Sequence, residues 1–490
     1  MTSSRPRGVV AAGHPGTAEA GAGVLRSGGN AIDAAIGAMA MACVCEPVLA
    51  SPGGGGFAMV RNAASGELSL IDFFPHTPKR RHHSPLNGDG GVREIHTDFG
   101  TALQAFRIGP ATTATPGFPA GIAALHRAGA SWSLTDVFEP ARAAALEGVA
   151  VTEFQHRLFH VVAPILTATD SARRLFAPTG EILEPGDTLH NPGLADVFDA
   201  LAAGDRSWID GPVGKAVLDH QRDHGHLRLD DLTRYRAEVR EPLSITAGDA
   251  TVHLNPLPAA GGVLIAHSLH HVDSTEAMDM ARAFRLTARA RAEAKGDLAA
   301  LSPVTLRQKG TTHVSVIDAE GNACAVTVSN GEGNGDLVEP YGFMLNNILG
   351  EDDVNPAGTN AWPPDTRLSS MMCPTIIEHG DGSLVALGSG GSNRIRTAMA
   401  QVIARRCLDR AELIDAVHAP RIHVEGEHLD FEDFFGPQVA AELTDAFPDH
   451  LAWPERNMFY GGVHAAALNA DGGFVGAGDP RRAGHAVVVE

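Results

Sequence analysis

The segment Gly310-Thr311-Thr312-His313-Val314-Ser315-Val316-Ile317-Asp318-Ala319-Glu320-Gly321-Asn322 constrains this chain more than any other. His313 to Ile317 is rich in β-branched residues, Asp318 to Asn322 has turn chemistry, and Ala323 to Ser329 (ACAVTVS) is a second extended run. The pattern predicts a β-hairpin with Thr311 at its leading edge. Because a glycine directly precedes that threonine, scission of the Gly310–Thr311 bond would start a strand with a residue carrying both a hydroxyl and a free amine. Threonine alone is a weak nucleophile, whereas an α-amino group titrates near ~8 and can take the hydroxyl proton around neutral pH. Thr311 is thus a candidate nucleophile with its own base. A Gly-Thr-Thr step is also an ordinary loop-to-strand junction, so the assignment depends on the rest of the chain.

At 490 residues the chain has room for two domains or one large layered domain. A formal net charge of -20 argues against nucleic acid or an anionic membrane as a partner, since both would repel it. The lysines are only Lys79, Lys215, Lys295 and Lys309, which leaves few groups for Schiff-base chemistry. Met1 to Gly8 holds two arginines with no apolar core behind them, which predicts no secretory signal and a cytoplasmic protein. The apolar run Ala34 to Cys45 is twelve residues long. A membrane span needs about 20, so a buried helix is expected there. Cys43, Cys45, Cys324, Cys373 and Cys407 are odd in number and scattered, and read as reduced buried thiols rather than disulfides or a metal site.

Along the chain, Gly8 to Gly23 predicts a short strand, a turn at His14-Pro15 and a small-residue helix. A second helix follows, with Asn30 as N-cap and Asp33 in its first turn. Strands are expected at 57–61 and 67–73, a long polar surface loop from 75 to 105, and a helix at 119–128. Helical patterns dominate from about 135 to 235, followed by a strand at 250–254 and a helix at 275–297. Strands predominate beyond Thr311, with helices near 395–408 and 411–418. A helix-rich part followed by a strand-rich part predicts an α+β fold with its junction at the scissile bond.

Ser51 to Phe57 is glycine-rich but lacks G-x-G-x-x-G spacing and a P-loop lysine, so it reads as a loop of close backbone approach. Gly388-Ser389-Gly390-Gly391-Ser392-Asn393-Arg394 lies between a strand and a helix, where unpaired N–H groups can stabilise an oxyanion or bind a phosphate. Arg367-Leu368-Ser369-Ser370-Met371 combines two hydroxyls and a cation in one polar loop. His82-His83 and His270-His271 lack metal-site spacing and read as solvated surface histidines. His313 shares a strand face with Thr311, where it either positions the nucleophile or makes a structural hydrogen bond.

Taken together, AAGHPGTAEAG, GGNAIDAA, EPVLASPGGGGF, ATPGFPAG, LDDLTRYRAEVREPL, PLPAAGG, GTTHVSVIDAEGNACAVTVS, GFMLNN, RLSSMMCPT, GSGGSNRI, APRIH and GAGDPR resemble, in order, the γ-glutamyltransferase (glutathione hydrolase) family of N-terminal-nucleophile hydrolases. The matches run from about residue 8 to 482. The resemblance implies a four-layer αββα sandwich and activation by self-cleavage at Gly310–Thr311. The resulting fragments, 1–310 and 311–490, would stay associated as one catalytic domain. It also implies a small amide or γ-glutamyl donor, water or an amine as acceptor, and neither metal nor cofactor. In this pattern Thr311 is the nucleophile, Ser329 the hydroxyl beside it, and Ser369 and Ser370 line the donor site. Gly390 and Gly391 match the oxyanion glycines, with spacing one residue out on each side.

The chain departs from that pattern at the donor site. Where the family typically carries a carboxylate-gripping arginine, Ile71-Asp72-Phe73-Phe74 places Phe74. Phenylalanine cannot replace a bidentate arginine contact. Ile348 stands in a typical glutamine position, and Glu351 or Asp352 is the nearest match to the acid that holds the donor amine. The lid segment Asn355 to Thr366 is short, and Arg367, Arg394 or Arg107 remain as alternative carboxylate partners. The machinery therefore reads as that of a γ-glutamyl amidohydrolase or acyltransferase, or as the same machinery on another acyl donor. A non-processing scaffold or binding homologue is the alternative outside enzymes.

Overall fold

The computed structural model describes residues 6–82, 91–98, 103–294, 310–351 and 361–490. Asp352, residues 355–360 of the short lid segment, His83, Lys295 and Lys309 lie outside the described residues. The fold is α+β, organised around two all-antiparallel sheets. The first has seven strands, in the order His485–Val489, Gly8–Ala12, Thr311–Asp318, Ala323–Ser329, Gly55–Arg61, Leu68–Phe73 and Glu238–Arg240. The second has six, in the order Phe474–Ala477, Gly462–Leu468, Leu384–Gly390, Thr375–His379, Ala250–Leu254 and Leu243–Ala247. Both sheets combine strands from before and after the Gly310–Thr311 bond.

Period-two alternation decides what each face of the first sheet meets. Val10, Ala58, Val314, Val316 and Val326 share a core with the helices Pro15–Arg26, Ala31–Cys45 and Phe118–Arg127. The alternate residues Val9, Phe57, Met59, Ile317 and Ala325 share another with Val385, Leu387 and Ala465 of the second sheet. That core also holds Ile265 of Ala260–His270, Phe284 of Ala277–Glu293 and Met399 of Arg394–Cys407.

Ala31–Cys45 is buried along its whole length, as its apolar circumference requires. Asn30 and Asp33 close a capping box on it, and the Asp33 carboxylate also accepts from the Ser131 hydroxyl and the backbone N–H groups of Ser131 and Trp132. The glycines after Ser51 do bring backbones together. A Cβ on Gly54 would lie 2.3 Å from the Ser329 carbonyl oxygen, and one on Gly56 2.2 Å from that of Thr327. All five cysteines are free and buried. Among the described residues no helix is long and apolar enough to cross a membrane.

The expected loop from 75 to 105 is corrected in its second half, where Arg93–Asp98 and Leu103–Ile108 form an antiparallel hairpin. Phe106 and Ile108 anchor it in a third core with Phe154, Leu158 and Phe159 of the helix Glu153–Val161. Its polar, histidine-bearing outward residues hid the strand alternation. The helix expected at 275–297 runs Ala277–Glu293.

Candidate active site

Thr311 opens its strand opposite Ser329 in the hairpin register and is only 4% exposed. Its hydroxyl lies 3.4 Å from Ser329 Oγ. Ser329 Oγ in turn donates to the Gly310 carbonyl oxygen at 2.6 Å and accepts from Gly331 N–H at 3.1 Å. On the upstream side, Gly310 N–H donates to Glu332 Oε1 at 3.0 Å. A Cβ on Gly310 would meet the Gly331 carbonyl oxygen at 2.3 Å and that of Val48 at 2.8 Å, so only glycine fits there. The Gly310–Thr311 peptide is thus held from both sides, with a hydroxyl donor on its carbonyl.

The Thr311 carbonyl oxygen accepts from Arg482 Nη1 at 3.5 Å, and a Cβ on Gly390 would come within 2.1 Å of it. Gly390 ends the strand Leu384–Gly390 against Gly462. Gly391 follows at φ +122° and Ser392 at φ +54°, turning the chain into the helix Arg394–Cys407. The Asn393 side chain does not cap that helix, whose first N–H groups, of Arg394 and Ile395, donate to the Gly391 and Ser392 carbonyl oxygens at 3.2 and 3.0 Å.

On the opposite strand face the Thr312 hydroxyl donates to Glu46 Oε2 at 2.8 Å, and Thr17 donates to Glu46 Oε1 at 2.7 Å. Burial pushes the Glu46 pKa up to about 7, against the pull of the two hydroxyls and of Arg482. Burial likewise lowers the Arg482 pKa to about 10, opposed by Asp479 and Glu46. His313 is wholly buried, with Nδ1 2.8 Å from Thr327 Oγ1 and Nε2 2.8 Å from Ser315 Oγ. Desolvation, and then the neighbouring His464, hold its pKa well below the ordinary value. A neutral His313 therefore ties the two strands together behind Thr311.

Thr311 and Ser329 open into a pocket enclosing about 470 Å³, part of it open to solvent. Ser369, Ser370, Ser392 and Glu351 supply its polar lining. Phe74, Ile348, Met371, Met372 and Ile395 supply the apolar part. Phe74 is locked by stacking on Phe57, with ring centroids 5.4 Å apart and planes at 16°.

The three alternative arginines lie elsewhere. Arg367 donates to the Phe74 carbonyl oxygen, the Tyr235 hydroxyl and the Arg236 carbonyl oxygen, and faces a separate pocket with His76 and Lys79. Arg394 Nε donates to the Phe459 carbonyl oxygen at 3.0 Å, and its guanidinium sits over that ring. Arg107 pairs with Glu94 at 3.4 Å. Among the described residues no arginine lines the Thr311 pocket.

Glu46, Glu332 and Arg482 were missed as site residues by sequence reasoning. The available signal was a charge inside an apolar or glycine-rich stretch: Glu46 follows the buried helix and Arg482 follows Gly476-Ala477-Gly478-Asp479-Pro480.

A glycine–threonine bond is thus fixed at the start of a sandwiched strand, with a hydroxyl donating to its carbonyl oxygen. The family model for Gamma-glutamyltranspeptidase matches residues 17–295 and 281–489, and the chain belongs to that family. The Acylase ACY 1 proenzyme of Pseudomonas sp. (strain V22) is 28% identical over 533 residues, covering 99% of this chain and 94% of that one. The Glutathione hydrolase proenzyme of Escherichia coli (strain K12) is 26% identical over 540 residues, covering 97% and 90%. Among solved structures, cephalosporin acylase from Bacillus halodurans matches with a TM-score of 0.83 at 22% identity, over 99% of this chain and 96% of that one.

Proposed function

We propose that the chain is a precursor that cleaves itself between Gly310 and Thr311 and then works as an amidohydrolase or acyltransferase on a γ-glutamyl or related small amide. The observation that carries this is the Ser329 hydroxyl, which bonds the Gly310 carbonyl oxygen while lying beside the Thr311 hydroxyl. In maturation, Thr311 Oγ1 attacks the Gly310 carbonyl carbon, the Thr311 nitrogen leaves as the new α-amine, and water hydrolyses the resulting ester. In turnover, that amine takes the Thr311 hydroxyl proton, Oγ1 attacks the substrate carbonyl, and N–H groups of the Gly390–Gly391 turn receive the oxyanion. Water or an amine then releases the acyl group. Ser369, Ser370 and Glu351 contact the donor from the pocket wall. The fragments 1–310 and 311–490 form one αββα unit, a reading supported by the helices packed on each sheet's outer side. Five buried free thiols fit a cytoplasmic setting.

Intact-mass analysis of purified protein tests this. Two fragments ending at Gly310 and starting at Thr311 are expected, with Thr311→Ala remaining one chain. A folded wild-type protein that stays uncut on prolonged incubation would leave the scaffold reading instead.

A second reading, the same machinery on a donor without an α-carboxylate, is favoured by Phe74 lining a pocket that no described arginine enters. The name of the Pseudomonas acylase fits this reading, and the name of the Escherichia coli relative fits the first.

A further inference from the structure

On the helix Glu153–Val161, away from the residues that line the Thr311 pocket, His156 and His160 stand one turn apart with ring centroids 4.4 Å from each other. Glu184, on the turn after Leu183, places Oε2 3.5 Å from His156 Nε2. One donor atom from each of the three residues lies within 4.8 Å of the others. The scaffold beneath is rigid. A capping box of Thr152 and Gln155 starts the helix, and its apolar face (Phe154, Leu158, Phe159) is buried with Phe176 and Leu183. The Glu184 turn is pinned by Glu184 N–H to Asp187 Oδ2 at 2.8 Å and Gly186 N–H to the Val151 carbonyl oxygen at 2.9 Å.

The tautomer of His156 makes this cluster unusual. Its Nδ1 lies 3.0 Å from the Leu183 carbonyl oxygen, which can only accept, so Nδ1 carries the hydrogen. In the neutral ring Nε2 then holds a lone pair, and it points at a carboxylate oxygen that also can only accept. Either a proton on Nε2 or a metal ion can join two such acceptors, and only a metal ion would also use the His160 ring nitrogen one turn away. An Nδ1–H bonded to a backbone carbonyl is also the arrangement that orients a metal-ligating imidazole and raises its basicity.

We propose that His156, His160 and Glu184 form a binding site for a divalent transition ion of the zinc class. Two imidazole nitrogens and one carboxylate oxygen suit such an ion, with water completing a tetrahedral shell. Tetrahedral zinc holds its nitrogen and oxygen ligands roughly 3.3 Å apart, close to the His156–Glu184 spacing, and the exposed His160 ring closes the rest by rotating. The bound ion clamps the helix Glu153–Val161 to the turn at Leu183–Asp187. It takes no part in the chemistry at Thr311.

The test is isothermal titration of chelator-treated, dialysed full-length protein with zinc chloride, repeated with cobalt(II) to read its visible absorption band. Wild type is expected to bind one ion at this site with an intense four-coordinate cobalt band. His160→Ala and Glu184→Gln, both at exposed positions, are each expected to weaken that binding by about ten-fold or more and to lose the band. His270→Ala/His271→Ala should leave it unchanged. If His156 and Glu184 form only an imidazolium–carboxylate pair, wild type will bind zinc no better than His160→Ala, and the proposal falls. Loss of the band in the His270/His271 variant alone would equally overturn it.

Discussion

Replacing Ser329 by alanine tests the link between geometry and maturation most directly. Its Oγ donates to the Gly310 carbonyl oxygen at 2.6 Å and also accepts from Gly331 N–H. As Thr311 attacks, that carbonyl oxygen becomes an oxyanion inside a buried site, where one preorganised donor typically contributes about 2.7–4 kcal/mol, or roughly 10²–10³ in rate. Ser329→Ala should therefore slow self-cleavage about 100-fold or more, read as the loss of full-length chain with time on denaturing gels. The variant also strands a buried N–H, at a cost of about 1–3 kcal/mol of stability, so its fold must be verified by thermal melting. Ser329→Thr keeps the hydroxyl and should process faster than the alanine variant. A folded Ser329→Ala precursor that matures at the wild-type rate would refute the assignment of Ser329 as the donor.

Phe74→Arg would restore a charged contact of about 1.5–3 kcal/mol and should raise kcat/KM for γ-glutamyl anilides about ten-fold or more if the loop accepts the side chain. Efficient wild-type turnover of glutathione, undiminished when Arg107, Arg367 and Arg394 are replaced in turn, would sink that argument. Turnover should rise through an apparent pKa near ~7 to 8, that of the Thr311 amine, and survive chelation. Activity abolished by a chelator and restored by zinc would rule out the amine as sole base. Burial raises the Glu46 pKa from 4.5 to about 7, so between those values the folded chain keeps a proton that the unfolded chain has released, and this residue's contribution to stability falls as pH rises through that window. Urea melts in the uncut Thr311→Ala background should show Glu46→Gln gaining on its parent between pH 5 and pH 8; a pH-independent difference would contradict the buried, protonated Glu46.

The local features were legible because their causes are local. The hairpin of Thr311 and Ser329 follows from two β-branched runs around a turn, and the Asn30–Asp33 cap from three residues of spacing. The close approach after Ser51 was readable because only glycine tolerates carbonyl oxygens at such distances. What escaped depends on long-range pairing. Glu46 meets Thr312 across 266 positions of sequence, and Arg482 reaches Thr311 across 171. No window of sequence contains either pair. Arg367 beside two serines looked like a donor contact, yet its side chain turns to Tyr235 and the Phe74 backbone. The hairpin ending at Ile108 was hidden because its stabilising partners, Phe154 and Phe159, come from a later helix.

The Thr311 strand is central in its sheet, hydrogen-bonded to Gly8–Ala12 on one side and Ala323–Ser329 on the other, and this ties the proposed activation to folding. Under the proposed function, the strand Gly8–Ala12 must be docked before Thr311 is aligned, so a chain in which that strand is deleted or mispaired would carry no nucleophile. Scission at Gly310–Thr311 would then report completed folding and release the threonine amine only inside a finished sheet. Pulling the pieces apart afterwards would mean unzipping that sheet through its middle, so the maturation step runs in one direction.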